Sequence, residues 1–259
     1  MANNELGKYL RYAIGEIFLV VVGILIALQI NNWNEDRIEQ IQIREFTLSL
    51  ADDLQSDIEM LKSVRLQIDH FIHLSNELAD YVRGKSLAEI YNIDLYVYTV
   101  GPGYRPFEWK RAALDQLKSS GALRQIKNQL LVQKISEYDA QSRHLDQDYS
   151  NDENKIREAQ NVALKVVDMS YPERNQIPMY VDETTDDALA DFFKSDLYQE
   201  IESNDLALLS SDLSEVRHAV NTYIETGMNL DPRTSIEIPW LMANGLEIIA
   251  LIHSEYGEQ

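Results

Sequence analysis

The sequence predicts an all-α protein: one N-terminal transmembrane helix, a long membrane-proximal helix and a helical bundle. Three observations carry this. An uninterrupted apolar run lies near the start of the chain. Apolar side chains then recur at steps of three and four for about fifty residues. Gly and Pro are scarce, 10 and 6 in 259 residues, too few for an all-β fold with many tight turns.

The apolar run extends without a break from Ile17 to Leu28, with Tyr12 and Trp33 bracketing it as interfacial aromatics do. Positions 12–33 would span about 33 Å as a helix, the thickness of a bilayer core. The run ends in Ala27-Leu28-Gln29-Ile30-Asn31-Asn32, which lacks the small residues of a signal-peptide cleavage site, so the expectation is an uncleaved, integral anchor. Positions 1–11 form a short tail before it. Lys8 and Arg11 upstream tie in number with Arg37 and Arg44 downstream but lie closer to the span. That places the N-terminus in the cytoplasm and the body outside it.

Glu16 is the one acid within the span. At about 100° per residue, Gly23 and Ala27 each fall about 20° from it, so the three share a stripe. Gly23 and Ala27 form a small-xxx-small pair of the kind that lets helices approach closely. The functional reading is a homo-oligomer contact through Glu16, Gly23 and Ala27. Two others stand beside it: Glu16 snorkels to the headgroups, or it couples to an ion.

Lys8-Tyr-Leu-Arg-Tyr-Ala-Ile-Gly-Glu-Ile17, running into Gly23-Ile-Leu-Ile-Ala-Leu-Gln-Ile-Asn-Asn-Trp-Asn-Glu35, resembles the anchor of an uncharacterised family of bacterial single-span membrane proteins. Leu117-Lys-Ser-Ser-Gly-Ala-Leu123 with Ile126-Lys-Asn128 is similar to that family's central helical-turn motif. The resemblance implies a bacterial single-pass protein with a helical body; with the orientation read from the flanking charges, the expectation is the inner membrane with a C-terminal domain in the periplasm. It implies no activity.

Beyond the anchor, positions 34–84 read as one long amphipathic helix or stalk, coiled-coil-like in length, with Leu50, Leu54, Ile58, Leu61, Ile68, Ile72, Leu78 and Val82 on one side and Gly84 closing it. Positions 85–259 read as a bundle domain. Within it, Ile93–Val100 has the β-branched and aromatic character of an extended segment. Helices are expected over 107–120, 124–143 and 152–169, the last two parted by the polar stretch Asp146–Asn151. Positions 171–185 read as loop, 186–194 and 197–226 as helices, 227–239 as linker, and the segment to about Ser254 as a buried core helix rather than a second span.

The net charge is −20, and positions 1–33 are neutral, so the whole excess lies on the body. Such a surface repels phosphate backbones, which argues against a nucleic-acid partner. There is no cysteine, which excludes disulfides, thiol nucleophiles and Cys-ligated zinc.

No motif for catalysis or for a cofactor survives inspection. Gly84-Lys85-Ser86 resembles the end of a phosphate loop but follows a helix and has Ala79 where a Gly is needed. His70, His73 and Glu77 have metal-ligand spacing on a helix, but they read as a solvated face with no fourth ligand. Asp146-x-Asp148 and Asp182–Asp187 lack the Gly and Glu of a calcium loop and read as solvated loop acids. Positions 91–109 combine six aromatics with nearby Arg and Lys. Tyr96, Tyr98, Arg105 and Trp109 there are the candidate partner- or ligand-binding residues, core packing being the alternative. The leading expectation is a non-enzymatic, membrane-anchored scaffold or adaptor that presents an acidic domain to a protein partner. The alternative is a ligand-sensing or accessory subunit of a transport or signalling assembly.

Overall fold

One helix organises the molecule. In the computed structural model, which describes residues 3–101, 103–178 and 185–257, α1 (Asn3–Val82) is continuous. At about 1.5 Å per residue its 80 residues extend about 120 Å. Its first part stands alone. From Ile43 onward, Leu50, Leu54, Ile58, Leu61, Val64, Ile68 and Leu78 are buried to 3% exposure or less. They recur at helical spacing, so one face of α1 is the spine of the core. Gly84 follows in the left-handed region, at φ 75°, where Gly ends a helix at no steric cost.

Seven further helices follow that spine: α2 (Asn92–Thr99), α3 (Ala112–Ser119), α4 (Gln129–Ala163), α5 (Thr185–Phe192), α6 (Asp196–Ser203), α7 (Leu213–Pro232) and α8 (Ile238–Tyr256). Among the described residues there is no strand. Helices α8, α7, α3 and α2 contact α1 directly, and α4 closes the bundle against α7 and α8. The chain runs down along α1 in α3, with Ala113 N–H bonded to Asp53, and turns at Ala122–Arg124, where Gln125 reaches Glu39. It then climbs through α4, capped by the Asn128 side chain on Leu131 N–H. α8 descends again, and Arg44 donates to the Tyr256 carbonyl at the foot of the bundle.

Several elements differ from expectation. Ile93–Thr99 is helical, not extended. The Asp205 carboxylate accepts from the Asn92 and Ile93 N–H groups, and nearly every residue of α2 is buried, so tertiary contacts override its β-type composition. The segment before α3 is non-helical up to Arg111 because its backbone bonds to α1 side chains instead: Arg105 N–H to Gln67 and Lys110 N–H to Asp57. Asp146–Asn151 does not break α4, since these acids find cationic or indole partners across the bundle.

The helix expected over 197–226 is interrupted at Asn204, and α7 starts afresh with Asp212 as its N-cap. The expected linker 227–239 is helical throughout, passing through a π-helical turn at Arg233–Glu237. Gly227 lies beside Ile72 and Ser75 of α1, where an added Cβ would make only ordinary contacts at 3.8 Å. Pro239 falls in the first turn of α8, directly after the π turn.

Two helical stretches are long and apolar enough to cross a membrane, Gly15–Val82 and Leu213–Tyr256. They differ in burial. The first has its apolar window 0% buried, the second 33%. In α8, Ile238, Leu241, Ile248 and Ile252 are wholly buried against the bundle, as a core helix requires.

The packing sets a clear contrast between positions. Leu61 is 0% and Met228 73% exposed. Leu61→Ala is expected to destabilise the bundle by about 2–5 kcal/mol, and Met228→Ala by under about 0.5 kcal/mol. Urea unfolding followed by circular dichroism measures both.

Candidate functional site

Glu16, Gly23 and Ala27 all lie on the solitary part of α1, and each is exposed. A Cβ built on Gly23 meets nothing within 4 Å. Around them Ile17, Phe18, Leu19 and Leu25 are 60–72% exposed. The stripe is therefore an open face with no intramolecular partner among the described residues.

The four residues of the aromatic region do not converge on one cavity. Tyr96 is 4% exposed and packs edge-on against Tyr171. Tyr98 meets Tyr81 and Phe193, and burial pushes its phenol up to about 12. Arg105 is exposed. Trp109 stacks on Phe107, donates its indole N–H to Asp146 at 2.7 Å and lies beneath Arg111. Trp109 borders a cleft with Leu50, Leu54, Asp57, Tyr138 and Ile248, but the enclosed space is about 10 Å³, room for one water at most. Larger openings lie between α1 and α7 around Ile72 and Gly227, about 320 Å³, and beside Thr99 and Gln160, about 220 Å³. Neither is lined by any of the four.

Asp57 forms the floor of the Trp109 cleft and is 3% exposed. It accepts from Lys110 N–H at 2.8 Å and from the Tyr138 hydroxyl at 3.2 Å. Burial pushes its carboxyl up to about 6, against the lowering effect of those two bonds. The carboxylate thus ties the segment before α3, and α4, to α1.

A second polar layer lies farther along α4. Arg233, 12% exposed, donates to Asp152 at 2.9 Å and to Glu237 at 2.7 Å and pairs with Asp148 at 2.9 Å. Tyr104 donates to the same Asp152 at 2.8 Å. Burial opposes the charge on Arg233, but its bonds to Asp152 and Glu237 outweigh this and hold the guanidinium above its ordinary range. Steps of four along α4 set Asp148 and Asp152 on one face, and the π turn aims Arg233 and Glu237 at them.

His144, Asp148 and Glu237 offer ligand atoms within 4.8 Å of one another, which would suit a divalent cation. Arg233 already donates to Glu237 and pairs with Asp148, so a metal would have to displace a buried guanidinium.

The expected solvated acids Asp146 and Asp148 are therefore helix residues that hold Trp109, Arg111 and Arg233, while positions 182–184 lie outside the described residues. His70 is buried, whereas His73 and Glu77 are exposed, so these three do not form the single solvated face expected of them. Lys85 lies over the Tyr81 ring at 3.3 Å, and Ser86 forms a capping box with Glu89. That accounts for Gly84-Lys85-Ser86 without a phosphate. Arg233 and Asp57 were missed as buried polar centres. The available signal for Arg233 was the Asp148–Asp152 spacing, which needs a cation if both acids turn inward.

Residues 16–99 match a family of unknown function, DUF6090. The match takes in the exposed stripe and most of α1 with α2, and it agrees with the resemblance of the anchor to an uncharacterised family. Arg105, Trp109 and Arg233 fall outside it. No curated protein and no solved structure matches the chain.

Two outcomes follow from the polar layers. Arg233→Ala leaves buried carboxylates uncompensated and is expected to cost about 3–5 kcal/mol in a denaturation series. For Asp57 the folded-state carboxyl titrates at about 6 and the unfolded one at the ordinary aspartate value, 3.8. The native state therefore binds the extra proton between these values, and its contribution falls as pH rises through that window. Asp57→Asn keeps an acceptor without the charge. It is expected to gain roughly 1–3 kcal/mol over the wild type at pH 8, the difference shrinking towards pH 4. Paired urea titrations at both pH values read this difference.

Proposed function

We propose that the chain is a single-pass, membrane-anchored helical scaffold or adaptor, set in the bacterial inner membrane with its acidic bundle on the periplasmic side. The observation that carries this reading is the continuity of α1. The same helix bears the unburied apolar run and the spine of the bundle, with no Gly or Pro between Gly23 and Gly84. A hinge there would suit a tethered enzyme free to search. A stiff rod suits a module that must present its surface at fixed height and orientation.

The open face at Glu16, Gly23 and Ala27 supports self-association within the membrane. Packing there would bring small residues together and draw Glu16 out of lipid contact. A ligand-sensing role would need a shared cavity for Tyr96, Tyr98, Arg105 and Trp109, and their separate packing gives that reading no support.

Gly23→Leu tests the proposal. The full-length chain in mild detergent is expected to form a discrete oligomer by light scattering, and the substitution should weaken it at least about tenfold, near 1.4 kcal/mol. A monomer at high concentration, unchanged by the substitution, would overturn it.

A further inference from the structure

The face of α1 that carries Glu16, Gly23 and Ala27 does not stop where the apolar run stops. Glu16, Leu19, Gly23, Ala27, Ile30, Asn34, Ile38 and Ile41 follow one another at steps of 3, 4, 4, 3, 4, 4 and 3. This is an eleven-residue repeat, about 3.67 residues per turn, which a nearly straight helix keeps on one side. The last two positions are the informative ones. Ile38 and Ile41 lie about 7 and 12 Å beyond Trp33 along the helix, yet they are 49% and 48% exposed. Nothing in the bundle covers them.

The bundle occupies the other side of the helix. Ile43, Thr47, Leu50 and Leu54, the first buried positions of the spine, point within about 40° of the direction opposite the stripe. A rod approaching the stripe therefore meets no bundle. Past Ile41 the same face continues as exposed Glu45 and Asp52, where two like rods would repel, with Leu48 between them half-buried against the bundle. The apolar stripe thus has a definite upper end.

We propose that a second copy of this chain packs in parallel along the stripe, and that Asn34, Ile38 and Ile41 close and register the pair beyond the hydrocarbon core. The proposal rests on the membrane-anchored, self-associating reading and extends its contact past that core. The occupant follows from geometry. Two copies anchored in one membrane are parallel and at equal depth, so Asn34, Ile38 and Ile41 each face their counterpart. Asn34 then meets Asn34, whose amides can donate and accept across the pair only in that register. The Gly23–Ala27 step and the eleven-residue repeat both favour a right-handed crossing. Glu45 and Asp52 then part the rods, and the bundles, each strongly acidic, lie outward.

The chain has no cysteine, so one introduced thiol reports alone. Full-length variants Asn34→Cys, Ile38→Cys, Ile41→Cys, Asp36→Cys and Gln40→Cys are reconstituted in phosphatidylcholine–phosphatidylglycerol vesicles and oxidised with copper phenanthroline. Disulfide dimers are expected to form at 34, 38 and 41 at least about fivefold faster than at 36 and 40, which point off the stripe. The double variant Ile38→Glu/Ile41→Glu should weaken the oligomer at least about tenfold and leave the melting of the bundle unchanged. If the oligomer is present and sensitive to Gly23→Leu but cross-linking is flat, or strongest at 36 and 40, the contact beyond the core is overturned and the membrane contact stands. Such flat cross-linking is also what lipid cover of Ile38 and Ile41 would give. If the chain is a monomer, both fall.

Discussion

Everything in this molecule depends on how one long helix divides its circumference. The buried face of α1 from Ile43 to Val82 is what α2, α3, α7 and α8 pack on, and the bundle would have no common wall without it. A free helix of this length would fray and bend in water. Here tertiary packing on one side stabilises the upper half. The lower half carries apolar side chains with no cover from its own chain. Stability and exposure are thus separated along a single element, and the boundary falls near Ile43.

The polar interior complements that division. A chain with a net charge of −20 has to keep its buried acids from repelling one another. It does so in layers. Near the foot, Lys134 pairs with Glu247, and a turn higher Lys118 and Arg143 bond to Asp139, level with Tyr138. In the middle, Asp57 accepts from a backbone N–H and from Tyr138. Farther along α4, Arg233 gathers three carboxylates. A buried pair adds little net stability over apolar packing, because desolvation offsets most of the attraction. Such layers fix which helix faces which, and they fix it at three heights. Hydrophobic packing alone tolerates sliding.

Much of this was legible in the sequence, and unevenly so. The spine of α1 was visible because its apolar period runs uninterrupted for many turns, and α8 was recognisable as a core helix by the acids and proline that rule out a span. The joints were less visible. Ile93–Thr99 looks extended by composition, and only the carboxylate of Asp205, over a hundred positions away, caps its first turn. Gly227 and Pro232 look like breakers, yet one is a packing contact and the other leads into a π turn whose purpose, aiming Arg233, exists only in three dimensions. Asn204–Asp212 breaks a helix with Ser, Asn and Asp alone, a weaker signal than Gly or Pro. The candidate residues divided similarly. The stripe at Glu16 depends on local period and is found open on the helix surface. The grouping of Tyr96, Tyr98, Arg105 and Trp109 depended on sequence proximity, and folding sends them to separate neighbours.

The unbroken passage from apolar run to bundle also makes the length of the intervening segment a matter of phase. One residue inserted between Asn34 and Gln42 would turn the bundle by about 100° about the helix axis and shift it by about 1.5 Å. Seven or eleven residues would return it to within about 20° of its starting direction, while raising it by about 10 or 16 Å. Height and heading are therefore coupled in this architecture. Evolution could lengthen such a rod only in selected increments if the direction in which the acidic bundle faces matters to whatever it meets.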